Sequence, residues 1–138
     1  MSIRFDGRVA IVTCAGAGLG RSHALALAAR GARVAVNDFG GDVHGTGGSC
    51  EPAQRVADEI VAAGGEAISH GADVCNATQV ADMVARTIER WGRVDILINN
   101  AGILRDASFA KGTLADFRKV LDAIWRSEER RVGKECRS

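Results

Sequence analysis

Val9-Ala10-Ile11-Val12-Thr13-Cys14-Ala15-Gly16-Ala17-Gly18-Leu19-Gly20, followed by Ser22 to Arg30 (SHALALAAR), is the stretch that decides the fold. Val9 to Thr13 is a short, apolar, β-branched run of the kind buried on both faces of a parallel sheet. A glycine cluster follows at once, and then a helical pattern that Gly31 stops. Strand, glycine-rich turn and helix in that order form a phosphate-binding arrangement. Backbone N–H groups and the helix dipole meet the anion, and side chains at the turn would block its approach. Taken alone the glycines are weak evidence, since a tight turn without ligand uses the same residues.

The same alternation continues along the chain. Ala32 to Val36 repeats the strand signal and ends at Asn37-Asp38. The polar stretch Phe39 to Cys50, with five glycines and no periodicity, reads as a loop. Pro52 suits the first turn of a helix running to about Ala63, with Gly64-Gly65 as its stop. Glu66 to Ala72 predicts a third strand, ending at Asp73-Val74. Thr78 to Trp91 predicts a helix with Val80, Met83, Val84 and Ile88 on one face. Val94 to Ile98 predicts a fourth strand running into Asn99-Asn100-Ala101-Gly102, and Thr113 to about Trp125 a last helix opened by a T-x-x-D capping pattern. Crossover helices of this length imply parallel strands with helices on both faces. The expected fold is therefore α/β, a Rossmann-type doubly wound parallel sheet in the order 3-2-1-4, truncated after the fourth βα unit.

Composition agrees with a soluble globular domain. The 138 residues are 46% hydrophobic and 25% charged, with a net charge of +1. Such a balance supports neither nucleic acid nor an anionic membrane as a partner. Aromatics are 4%, so the core is to be built from Ala, Val, Ile and Leu. No apolar run approaches the ~20 residues of a membrane span. The four cysteines have no C-x-x-C spacing, and the start MSIRFDGR lacks an apolar signal region. The expected setting is reducing and cytoplasmic. His23, His44 and His70 share no ligand spacing, so no metal site is expected.

Residues 126–138 (RSEERRVGKECRS) break the pattern. They carry five basic and three acidic residues, and so +2, with no apolar period. They also resemble the conceptual translation of a commonly used sequencing adapter. The expected division is a Rossmann half-domain over 1–125 and an artefactual tail over 126–138.

Asp38 lies 18 residues after Gly20, at the end of the second strand. A carboxylate there can accept both ribose hydroxyls of NAD and repel the 2′-phosphate of NADP. No basic residue lies inside the glycine loop before Gly20. The residues therefore favour NAD, with a solvated strand end as the bland reading of Asp38.

At this point the chain resembles the N-terminal part of the short-chain dehydrogenase/reductase family. The resemblance rests on the T-G-x-x-x-G-x-G type turn at 13–20, on Asp73-Val74 and on Asn99-Asn100-Ala101-Gly102, and it spans roughly residues 3–122. Within the family, RFDGRVAIVT (4–13), VNDFGGD (36–42) and NNAGILRD (99–106) are similar to the (3R)-hydroxyacyl-CoA dehydrogenase unit of multifunctional β-oxidation enzymes. The resemblance implies that Cys14, Ala15, Gly16, Ala17, Gly18, Leu19 and Gly20 form the cofactor turn. It also implies that Asp73 and Val74 meet the adenine and that Asn99 to Gly102 line the cofactor. The implied activity is NAD-dependent oxidation of a secondary alcohol such as a 3-hydroxyacyl-CoA, in a parent that forms homo-oligomers.

Two departures stand out. The family's first motif glycine is Cys14 here, which would weaken the turn by ~1–3 kcal/mol if that position needs a glycine dihedral. The family's proton-transferring Tyr and Lys, with a Ser, lie beyond the fourth βα unit; the chain has no tyrosine at all. The polar relay residue of the family's next helix has no match at Ala123-Ile124-Trp125 either. No catalytic residue is assignable. The alternatives are a non-catalytic nucleotide-binding module and a non-functional truncated product.

Overall fold

A computed structural model describes residues 3–40, 50–101, 113–115 and 118–122. Seven elements alternate in order: β1 (Val9–Val12), α1 (Gly18–Ala29), β2 (Arg33–Asn37), α2 (Glu51–Ala62), β3 (Ala67–His70), α3 (Ala77–Trp91) and β4 (Ile96–Ile98). All strand pairs are parallel and the sheet runs β3-β2-β1-β4, as the sequence predicts. Residues 114–115 and 118–122 are helical, within the last expected helix. Gly102, most of the glycine loop after Asp38 and the 126–138 tail lie outside the described residues.

The strand periodicity of two divides the core between the faces. Val12, Val34 and Val36 pack on one face with Ala24 of α1 and Ala53, Val56, Ala57 and Ile60 of α2. Ile11 and Ala35 pack on the other with Ala72 and with Met83 of α3. Every residue of β1 is buried, which is why its sequence is a continuous apolar run rather than an alternating one. The faces are unequal, because β4 is an edge among the described residues and Leu97 on the α3 face remains 40% exposed.

Element bounds shift from the sequence expectation by up to four residues, with β3 spanning Ala67–His70 rather than Glu66 to Ala72. Helix α1 begins at Gly18, four residues before Ser22, so Gly18 and Gly20 lie inside its first turn. Helical periodicity could not show this, since glycine carries no side chain to contribute to a pattern. β4 is shorter than expected because Val94-Asp95 is used differently. Asp95 Oδ2 accepts the Val9 N–H at 2.9 Å, and Asp95 N–H donates to Val9 O at 2.8 Å, which pins the entry of β4 to the entry of β1.

Candidate functional site

The carboxyl ends of the four strands share one edge of the sheet, where the crossover from β1 runs to β2 on one side and the crossover from β3 runs back to β4 on the other side of β1. In open α/β sheets this switch point forms the ligand crevice. Thr13 leaves β1, and Cys14 then adopts φ +53°, the left-handed region that favours glycine. The glycine dihedral that the motif anticipates is therefore present, carried by a residue with a Cβ. Ala15 is buried and its N–H donates to Asn37 O at 2.7 Å.

The glycines divide by what a side chain would meet. At Gly20 a Cβ would collide with Cys14 O, and would lie 2.6 Å from Asn100 Nδ2 and 2.8 Å from Ala15 Cα. Gly20 thus lets α1 approach both the β1 turn and the segment after β4. At Gly16 a Cβ would sit 2.5 Å from Asp38 Oδ2 and 2.5 Å from Pro52 Cβ. Gly18 has φ +57° and faces open space. Ala17, the N-cap of α1, provides no side-chain acceptor, and the first turn contains no acidic residue. The leading N–H donors of α1 are therefore left without a side-chain cap beside an open approach, with Ala17, Gly18 and Leu19 exposed. This arrangement fits a pyrophosphate.

Thr13 organises the other wall. Its hydroxyl donates to Ile98 O at 3.3 Å and accepts the Asn100 N–H at 3.0 Å and the Ala101 N–H at 2.9 Å. One donor and two acceptor positions saturate a hydroxyl. Asn100 Nδ2 donates to Cys14 O at 3.2 Å, so the two turns are joined in both directions. Asn99, Asn100 and Ala101 are half-buried along this wall. The sequence places Thr13 only as the last residue of the β-branched run, and its role as the junction of two turns is set by spatial pairing alone.

Asp38 faces the glycine turn. Its Oδ2 accepts the Gly16 N–H at 2.9 Å and its Oδ1 the Gly40 N–H at 2.7 Å. The preceding residue, Asn37, is 1% exposed and buries a side-chain amide that reasoning from sequence did not single out. Its Nδ2 donates to His70 O at 3.2 Å and Ala72 O at 3.0 Å, holding the end of β3 against β2. Asp73 and Val74 follow, half-buried beside this junction. Asp73 Oδ1 accepts the Cys75 N–H at 2.9 Å, and Asp73 N–H donates to Gln79 Oε1 at 2.8 Å. His70, read from sequence as background, is instead a structural partner of α3 through Asp82 at 2.7 Å. Hydrogen bonding to His70, reinforced by Arg86, holds the Asp82 carboxyl below its ordinary range.

Among the described residues no group of three His, Cys, Asp or Glu side chains could hold a metal. No described helix is long and apolar enough to cross a membrane. The described residues contain no disulfide.

Known proteins are similar to this chain in sequence and in fold. Residues 8–125 match the family described as short chain dehydrogenase. The chain is 52% identical over 120 residues to peroxisomal multifunctional enzyme type 2 of Drosophila melanogaster, covering 87% of this chain and 20% of that protein. It is 47% identical over 121 residues to the peroxisomal hydratase-dehydrogenase-epimerase of Saccharomyces cerevisiae, covering 88% and 13%. Among solved structures, 7 alpha-hydroxysteroid dehydrogenase complexed with NADH and 7-oxo glycochenodeoxycholic acid superimposes with a TM-score of 0.78 at 34% identity, covering 89% of this chain and 45% of that one. The chain thus spans less than half the length of each of these proteins. The names of the two enzymes overturn the cytoplasmic setting expected from the sequence, because both are peroxisomal. Cysteine spacing and a polar start do not distinguish one reducing or thiol-tolerant compartment from another. With the match covering most of its length, on a doubly wound parallel sheet, the chain belongs to the short-chain dehydrogenase family.

Proposed function

We propose that this chain is the NAD-binding part of an oxidoreductase that oxidises a secondary alcohol such as a 3-hydroxyacyl-CoA. The observation that carries the reading is the uncapped start of α1 at an open glycine turn, with the Asp38 carboxylate standing beside it. Gly16 to Gly20 would hold the pyrophosphate through backbone N–H groups. Asp38 would accept the ribose hydroxyls through its remaining lone pairs and repel a 2′-phosphate, which favours NAD over NADP. Asp73 and Val74 would border the base, and Asn99, Asn100, Ala101 and Gly102 the wall toward the nicotinamide. A bound nicotinamide supplies the hydride acceptor that no amino-acid side chain can provide.

The substrate reading is supported by the multifunctional enzymes that the chain resembles at about half of the aligned positions. Their names also support a peroxisomal parent. The 138 residues contain no tyrosine, so a phenol base of the family's Tyr-x-x-x-Lys type has no counterpart among them. We infer that this chain binds the dinucleotide without turning substrate over, and that residues 126–138 take no part in the fold.

The test has two arms. NADH and NADPH are titrated against the chain by fluorescence, and a panel of 3-hydroxyacyl-CoA thioesters is assayed for NADH formation. Binding of NADH in preference to NADPH, with no turnover, supports the reading. Equal affinity for both nucleotides overturns the NAD assignment, and NADH formation by this chain overturns its inactivity. A chain that binds neither nucleotide is left as the non-functional product.

A further inference from the structure

His70 ends β3 with both ring nitrogens engaged. Nδ1 accepts the Ala72 N–H at 3.1 Å, a role open only to an unprotonated nitrogen. The ring hydrogen therefore belongs on Nε2, which donates to Asp82 Oδ2 of α3 at 2.7 Å. Asp82 is also paired with Arg86 at 2.9 Å. The His70 side chain is 13% exposed, so water gives little competition for these partners.

The main chain of the same residue is equally committed. His70 O accepts the Asp38 N–H at 3.1 Å and Asn37 Nδ2 at 3.2 Å. One residue thus fixes Asp38 at the end of β2 and, through its ring, the backbone that leads into Asp73-Val74.

We propose that His70 is a positioning residue for the ribose and base end of the dinucleotide site, acting as neutral imidazole, and that charging its ring weakens dinucleotide binding. The proposal rests on the dinucleotide reading of the Asp38 crevice. Protonation places a hydrogen on Nδ1, where it faces the Ala72 N–H, and two donors then confront each other. The contact to Asp82 survives as an ion pair, so the ring stays with α3 while the 71–74 backbone gives way. The elements beside β3 carry charged groups of their own. From α3 come Asp82 and Arg86. From α2, Asp58 engages Gln54, which takes the Ser69 hydroxyl at 2.6 Å. Asp38 is held by the Gly16 and Gly40 N–H groups, and Asp73 by that of Cys75. Imidazole is the side chain whose charge ordinarily changes within the physiological range.

The experiment measures NADH affinity of the full chain by fluorescence from about pH 8 to about pH 5.5, the range in which histidine changes charge. The unmodified chain is expected to lose about fivefold or more in affinity across it, the worth of one hydrogen bond. His70→Asn supplies an acceptor for the Ala72 N–H and cannot titrate, so its affinity should stay level. His70→Ala should bind weakly at every pH. In parallel, amide NMR of the unmodified chain should show Ala72 and Asp38 shifting together as the ring titrates, which keeps the test open if a variant misfolds. Affinity independent of pH in the unmodified chain, an equal loss in His70→Asn, or an Ala72 amide that ignores the titration would overturn the role of His70 alone. Absence of NADH binding at every pH would instead overturn the dinucleotide reading, and the positioning role with it.

Discussion

Asp38 and Gly16 are bound to one another, with the carboxylate Oδ2 accepting the Gly16 N–H at 2.9 Å across the mouth of the glycine turn. The residue that would select the ribose therefore also shapes the turn that would hold the phosphates. Replacing Asp38 by Ala removes both functions. A charge-assisted hydrogen bond contributes about 1.5–3 kcal/mol, so NADH affinity should fall by roughly tenfold or more. NADPH affinity should fall less, because a repulsive charge is lost as well. Asp38→Asn should keep the contact to the turn while losing the preference. Paired NADH and NADPH titrations check this, and an undiminished preference in Asp38→Ala contradicts it.

Cys14 sits at φ +53° where a glycine would be unstrained. An L-residue in that region costs about 1–2 kcal/mol, partly offset by the greater chain entropy that glycine loses on folding. Cys14→Gly should therefore raise stability by up to about 1 kcal/mol, or about 2–6 °C in melting temperature for a chain of this size. Cys14→Ala keeps the Cβ and should show no such gain. Calorimetry of the three proteins separates backbone strain from any effect of the sulfur. An equal rise in both variants would assign the strain to the thiol instead.

Thr13 is 3% exposed and serves the Asn100 and Ala101 N–H groups with one oxygen. Thr13→Val preserves shape and leaves two half-buried donors without that acceptor, at a cost of about 1–3 kcal/mol. Thr13→Ser should recover most of it. Urea midpoints at unchanged slope are the measurement, and a Val variant as stable as the parent would show that the junction is dispensable.

The Asp95 carboxyl is held below its ordinary value of 3.8, first by hydrogen bonding to Arg93 and then by the Val9 N–H. A carboxyl depressed in the folded state contributes stability that is present above its unfolded pKa. That stability is lost as pH falls through the lower folded value. Acid should therefore loosen the β1–β4 entry below about pH 4, the unfolded carboxylate range. Asp95→Asn should be less stable at neutral pH and show a shallower acid limb. Urea midpoints for both proteins from neutral to acid pH check the sign; parallel curves would contradict it.

The family match ends at residue 125, where the composition also changes. Deleting 126–138 should leave melting temperature and solubility unchanged within error. A loss of structure on deletion would make those residues part of the domain.

Element order and the glycine turn were readable because they rest on local chemistry. Val9 to Val12 and Val34 to Val36 announce buried strands by β-branching, and the spacing from Gly20 to Asp38 follows from one βα unit. The remainder depends on partners far away in sequence. Nothing near Asn37 indicates that its amide closes on two carbonyls of the β3 end. Nothing near His70 predicts Asp82 as the acceptor of its ring hydrogen. The early start of α1 was hidden because glycines permit a helix without signalling one. Compartment was misread for a different reason: it is not a property that the packing of a sheet records.

The hydroxyl of Thr13 has a consequence for the order of folding. Its partners Asn100 and Ala101 lie 87 and 88 residues further on. β1, α1 and β2 can assemble from contacts close in sequence, whereas the wall of the turn waits for β4 to arrive across a long loop closure. A nucleotide that needed both walls would not recognise a chain in which β4 has yet to pair with β1. Its capture would then report that β4 has docked beside β1.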